Sequence, residues 1–225
     1  MSSRIVGWSP ADGPVDAVAQ RLRNEHPGEV IDVRDPGLVD ALAAAGAALG
    51  RRSLVMALAP LPDSMDEGRW SESVGPLIAD PARHADALVR AFPPEHPDHD
   101  PAIADRAGAV RALESYFAGA VIGPHLADAS SEAVDGDGRV VGGLVINRMP
   151  DHDESPGGPW VTDVFVEPEV QGRGVGRALF ARAVSALRAA GEPTLRLAVH
   201  VDNPAQRLYA DLGFQVSSAW CRITL

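Results

Sequence analysis

Along the first sixty residues the apolar positions switch between two periods. Residues 4–8 (RIVGW) form a short β-branched and aromatic run, and Val15, Val18, Ala19 and Leu22 then recur at the spacing of one helix face. Residues 29–33 read as a second strand, closed by Asp35-Pro36-Gly37. Leu38, Leu42, Ala45 and Leu49 predict a second helix that stops at Gly50. Residues 53–58 are a third strand, ended by Pro60 and Pro62. This β-α-β-α-β stretch is too short to bury much surface alone, so it is expected to pack against the remainder of the chain.

Residues 62–73 (PDSMDEGRWSES) are polar and turn-rich, which divides the chain into a subdomain over 1–62, a linker over 63–73 and a main domain over 74–225. In the main domain, 74–78 predict a strand and 81–92 a helix, whereas the prolines of PPEHPDHDP (93–101) deny that stretch regular structure. A helical pattern resumes over 103–122, and Asp135-Gly136-Asp137-Gly138 marks a hairpin between 130–134 and 139–148. After a polar loop over 150–159, residues 160–166 (WVTDVFV) are a strand, and 171–176 are a glycine-rich turn. Val175, Leu179, Ala183 and Leu187 recur every fourth residue up to Gly191, giving an amphipathic helix. Residues 194–199 form another strand, Asp202 or Asn203 suits a helix cap with Pro204 in the first turn, and 215–225 hold one last strand. The fold class is α/β with a mixed sheet.

Composition narrows the chemistry. The 225 residues carry a formal charge of −11, and all 20 basic residues are arginine. A lysine nucleophile, a Schiff base and a phosphate-loop lysine are therefore excluded. The acidic balance argues against nucleic acid as a partner. No apolar run approaches the ~20 residues of a membrane span. The opening MSSRIVGWSP lacks the pattern of a secretion signal, and the lone Cys221 cannot form an internal disulfide. These points lead to the expectation of a cytoplasmic protein without a membrane partner.

The strand, glycine turn and helix over 160–189 carry the most chemistry. Such a turn leaves backbone N–H groups unpaired at a helix N-terminus, where the helix dipole favours an anion and glycine lets it approach closely. That implies diphosphate binding without metal or lysine. The dinucleotide pattern GxGxxG fails at Arg177, leaving Q-x-x-G-x-G at Gln171, Gly174 and Gly176. A second string, N-P-A-x-x-L-Y-x-x-x-G-F, runs from Asn203 to Phe214. With both motifs in this order, the sequence resembles the GNAT superfamily of acetyl-CoA-dependent N-acyltransferases, over about 74–225 and most strongly over 160–214.

The resemblance implies two parallel strands, 160–166 and 194–199, that splay at their C-terminal ends to admit the pantetheine arm of acetyl-CoA. Val164, Phe165 and Val166 would bind that arm through the backbone, as an added strand does. Gln171, Gly172, Arg173, Gly174, Val175, Gly176 and Arg177 would hold the pyrophosphate. The implied activity is transfer of an acetyl group from acetyl-CoA directly to a primary amine of a small molecule or peptide. Tyr209 would be the general acid to the departing thiolate, and Asn203 would bond the pantetheine arm or a water. Asp163 is the candidate general base, against a plain hydrogen-bonded strand-end role, with His200 weaker still. The run Glu95-His96-Pro97-Asp98-His99-Asp100 contains metal-ligand types, but its prolines and the lack of a distant partner signature lead to the expectation of no metal. As a loop between the first two helices of the main domain it would line the acceptor pocket, and its acidic groups would favour a cationic acceptor. A homodimer is compatible with the resemblance. The alternative is a non-catalytic acyl-CoA-binding sensor or partner module on the same fold. The single strand after Phe214 and the extra 1–62 depart from a minimal member. They suggest a reduced acyltransferase-like N-terminal half, which lacks Q-x-x-G-x-G and so would hold no second CoA site.

Overall fold

The computed structural model describes residues 4–151 and 157–225. In chain order the elements are β1 (Arg4–Val6), α1 (Val15–Glu25), β2 (Val30–Val33), α2 (Pro36–Ala44), β3 (Ala48–Leu58), β4 (Val74–Pro76), α3 (Pro81–Ala91) and α4 (Arg106–Phe117). They continue with β5 (Ser131–Val134), β6 (Val140–Met149), β7 (Gly158–Val166), α5 (Val175–Ala189), β8 (Leu195–His200), α6 (Gln206–Asp211) and β9 (Gln215–Thr224). Two compact units result. One takes the chain up to Met56 together with Ala198–Val201 and Val216–Leu225, and the other takes Ala57–Leu197 and Asp202–Gln215.

In the first unit the strands lie in the order β1-β2-β9-β3. β1 runs parallel to β2, and β9 runs antiparallel to β2 with Ile31 opposite Ile223. Val18 and Leu22 of α1, Leu38 and Leu42 of α2, and Ile31, Val33, Cys221 and Ile223 of the sheet form its core. β2 ends at Val33, ahead of Asp35, which caps α2 by accepting the Leu38 N–H at 2.7 Å, with Pro36 as first helical residue. One expectation needs correction here. The helix expected to reach Leu49 stops at Ala44, because Gly46 turns the chain at φ 89° and β3 already begins at Ala48. Leu49 continued the four-residue spacing only by coincidence, and it is 48% exposed.

In the second unit the order is β8-β7-β6-β5-β4, antiparallel from β7 to β4 and parallel between β7 and β8. α3 and α4 cover one face, where Leu88 and Leu113 meet Val145 and Phe165. α5 lies against the other, and a Cβ on Gly142 would come within 3.2 Å of Val175. The helix expected over 103–122 is shorter, because Asp105 caps α4 by accepting the Gly108 N–H and Gly119 ends it at φ 72°. The polar loop expected over 150–159 lies partly outside the described residues, and β7 begins at Gly158.

One glycine is required by packing. A Cβ on Gly143 would sit 2.5 Å from the Phe165 ring, whose outer edge reaches the β6 backbone there. Gly143→Ala should therefore destabilise the protein by about 1–3 kcal/mol, as overpacking of a tight core does. Urea denaturation measures this, and an unchanged midpoint would contradict it.

Candidate functional site

The pairing of β6 with β7 contains an irregularity that shapes the site. Val145 faces Asp163 and Ile146 faces Val161, which leaves Thr162 as an extra residue in β7. A β-bulge of this kind bends its strand and re-aims side chains. Because Asn147 pairs with Trp160, the shift puts Trp160 and Asp163 on the same sheet face as Asn147, Val145 and Phe165. The Thr162 side chain reaches that face as well, bonded to Asn147. Val161, Val164 and Val166 take the opposite face, shared with α5. Among the described residues the parallel register of β7 with β8 is held at Trp160↔Arg196, just before the bulge.

Beyond the bulge, Val164, Phe165 and Val166 border a cavity of about 450 Å³. Its other walls come from the 170–177 turn, from Ala91, Phe92 and His96 after α3, and from Asn203, Pro204, Ala205, Leu208 and Tyr209. The turn is clamped from beneath. Glu167, 1% exposed, accepts hydrogen bonds from Arg139 at 2.7 Å and from Arg90, and its own N–H donates to the Val141 carbonyl. The Gln171 side-chain amide donates back to the Val166 carbonyl at 2.9 Å. Gly172 and Gly174 adopt φ 71° and 93°, and a Cβ on either would project into open space. The N–H groups of Gly172, Gly174, Val175, Gly176 and Arg177 donate to no acceptor among the described residues. The chain thus presents a fan of unpaired donors at the start of α5, an arrangement that suits a diphosphate anion.

Tyr209 stands on α6 across the cavity, 5% exposed, with its ring edge-on to Phe180 at 5.7 Å and beside Phe214 at 6.0 Å. Its hydroxyl bonds no described residue and opens on the cavity. Burial first, then the charges of Asp98 and Asp163, raise its pKa well above the ordinary phenol value, so it stays protonated. Asn203, 7% exposed, holds the start of α6 by accepting the Ala205 N–H at 2.8 Å. Its Nδ2 donates to the Asp98 carboxylate at 2.5 Å, tying the 93–101 loop to this wall. Asp98 in turn donates its backbone N–H to His96 Nδ1 at 3.0 Å, which leaves the hydrogen of the neutral ring on Nε2. Burial lowers the pKa of His96.

Asp163 is the most perturbed acid. Its pKa is raised to about 7, chiefly by burial, with a further push from the Asp98 carboxylate and a partial offset from the Val164 N–H. As a residue it is partly exposed, while dense protein surrounds the carboxyl. Its charge also adds to the burial that raises the Tyr116 pKa.

Most of the sequence-derived site residues meet at this cavity, but not all face it. Val164, Phe165, Val166, Gln171, Gly172, Gly174, Val175, Gly176, Arg177, Asn203 and Tyr209 line it, although the Phe165 and Val175 side chains are buried and only their backbone can serve. Arg173 is exposed and is not among the lining residues, and neither is Asp163. His96 was legible only as part of an acidic loop, and Leu208 gave no separate signal. Among the described residues no group of three His, Cys, Asp or Glu side chains is arranged to hold a metal ion. No helix among them is long and apolar enough to cross a membrane.

Residues 86–214 match the model of the acetyltransferase (GNAT) family. A curated relative, mycothiol acetyltransferase of Actinosynnema mirum, is 36% identical over 148 residues, covering 64% of this chain and 45% of the relative. The chain thus spans about half the length of that protein. The fold resembles a GCN5-related N-acetyltransferase from Sphaerobacter thermophilus, with a TM-score of 0.61 at 18% identity over 88% of this chain and 60% of that one. It also resembles a tandem GNAT protein from the clavulanic acid biosynthesis pathway, with a TM-score of 0.57 at 18% identity over 93% and 67% of the two chains.

The Asp163 shift carries a stability consequence. An acid whose folded pKa lies near 7 keeps its proton where the unfolded chain, at about 4, has lost it, so stability falls as pH rises through that window. Asp163→Asn, locked in the neutral form, should raise Tm by on the order of 5 °C at pH 8 and by much less at pH 4.5. Thermal melts at the two pH values check this, and equal shifts at both would contradict it.

Proposed function

The chain belongs to the GNAT acetyltransferase family, and from that premise we propose that it is an N-acetyltransferase transferring an acetyl group from acetyl-CoA to a primary amine. The observation that carries the reading is the fan of unpaired N–H groups at Gly172 and 174–177, lining the same cavity as the protonated Tyr209. When bound, acetyl-CoA supplies an activated thioester and a thiolate leaving group. Backbone donors at Gly172, Gly174, Val175, Gly176 and Arg177 hold its pyrophosphate. The β7 edge at Val164 and Val166 offers main-chain partners to the peptide-like arm. Gln171 acts indirectly, by tying the turn to Val166.

The amine must lose a proton and the leaving thiolate must gain one. Asp163, titrating near neutrality, is suited to take the first, directly or through a water. Tyr209, whose hydroxyl has no competing protein partner among the described residues, supplies the second. Asn203 sets the pitch of α6 and keeps one N–H beyond its bond to Asp98 for the pantetheine arm. The charges of Asp98 and Asp163 act on Tyr209 and give its side of the cavity a negative potential, which favours a cationic acceptor. The curated relative's name concerns mycothiol, but this chain covers less than half of that protein, and the acceptor proposed here is the broader amine class.

Thiol release from acetyl-CoA across a panel of primary amines tests the activity. Turnover with at least one amine is expected, whereas tight acetyl-CoA binding without turnover on any would favour the sensor. Tyr209→Phe should lower kcat about 100-fold and leave the acetyl-CoA Kd within twofold, because the lost hydroxyl acts only on the leaving group. Full activity of that variant removes Tyr209 from the mechanism. In the wild type kcat/KM should rise with pH through an apparent pKa near 7, and Asp163→Asn should abolish that rise.

A further inference from the structure

Asn147 is a wholly buried amide on β6, and every polar atom of its side chain is engaged. Its Nδ2 donates to the Tyr116 carbonyl at 2.8 Å and to the Gly123 carbonyl at 2.7 Å. Its Oδ1 accepts the Thr162 hydroxyl at 2.6 Å. Thr162 is the extra residue of the β7 bulge, and Tyr116 lies in the last turn of α4. One side chain therefore grips the bulge beside Asp163 and the helix end whose phenol senses the Asp163 charge. A buried amide satisfied at all three sites is geometrically exacting, since losing one partner strands a polar atom at a cost comparable to a hydrogen bond.

A bulge is the weak point of a ladder, because its extra residue makes no regular pairing. Thr162 could relax toward a regular register with Ile146 opposite, which would swing it to the α5 face and move its neighbour Asp163. The Asn147 bond removes that freedom. We propose that Asn147, acting through the Thr162 hydroxyl, is a positioning residue that fixes the β7 bulge and thereby sets the place of Asp163 in the site. The proposal deepens the reading of Asp163 as the group that receives the acceptor's proton.

The test compares Thr162→Val, which keeps the shape and removes the hydroxyl, with Thr162→Ser, which keeps the hydroxyl. The Asp163 carboxyl is titrated by carbon NMR in protein labelled at aspartate, its signal identified by absence from Asp163→Asn. Thr162→Val should move the Asp163 midpoint down from about 7 toward the ordinary carboxylate range by a unit or more. It should also lower kcat at least tenfold while the acetyl-CoA Kd stays within twofold, and Thr162→Ser should restore both. A folded Thr162→Val protein whose Asp163 midpoint stays at the wild-type value overturns the proposal, as does failure of Thr162→Ser to restore the midpoint. If Thr162→Val does not fold, Thr162→Ala, which leaves space rather than a misplaced methyl, is judged by the same midpoint. An active Asp163→Asn enzyme would refute the base assignment alone, because the carboxyl midpoint still decides the role of Asn147.

Discussion

The site depends on hydrogen-bond donors that the protein leaves without acceptors. At the start of α5, the N–H groups of Gly172, Gly174, Val175, Gly176 and Arg177 pair with no described residue, and such groups persist only if the backbone around them is held firmly. The holding is done one turn earlier. Glu167 buries its carboxylate between Arg90 and Arg139, anchoring the exit of β7 to α3 and to the β5–β6 hairpin. Both arginines remain about half exposed, so the pair gains less than a fully enclosed one would, but the carboxylate itself is committed to that place. Gln171 then ties the far side of the turn to Val166.

The second constraint is the extra residue in β7. The bulge brings Asp163 to the α3–α4 face with Trp160, and ordinary alternation then turns Val164 and Val166 toward α5. The strand's continuation borders the cavity, and Asp163 receives a setting dense enough to raise its pKa to about 7. Tyr209, across the cavity, is kept protonated by burial and by neighbouring carboxylates. In the proposed mechanism, the carboxyl near neutrality would take one proton off an amine and the phenol far above it would give another to a thiolate.

Features governed by local chain geometry were legible in the sequence. The glycine turn, the amphipathic α5 and the Asn203-to-Phe214 string announce themselves because glycine, helical spacing and capping act over a few residues. The Asp98–Asn203 bond joins positions 105 residues apart, and no local pattern could foretell it. The bulge at Thr162 depends on the register with β6, to which WVTDVFV alone gives no clue. The over-long second helix failed for the opposite reason, because a periodic Leu49 outweighed the turn at Gly46. The first unit recruits β9 from the far end of the chain through pairing of Ile31 with Ile223, a contact that only the fold reveals.

The most direct test of the central claim is an amide proton–nitrogen NMR titration with acetyl-CoA. The largest shifts are expected at Gly172, Gly174, Val175, Gly176 and Arg177, with a second set at Val164 and Val166. Saturable binding that leaves those amides unmoved and perturbs another part of the chain would contradict it.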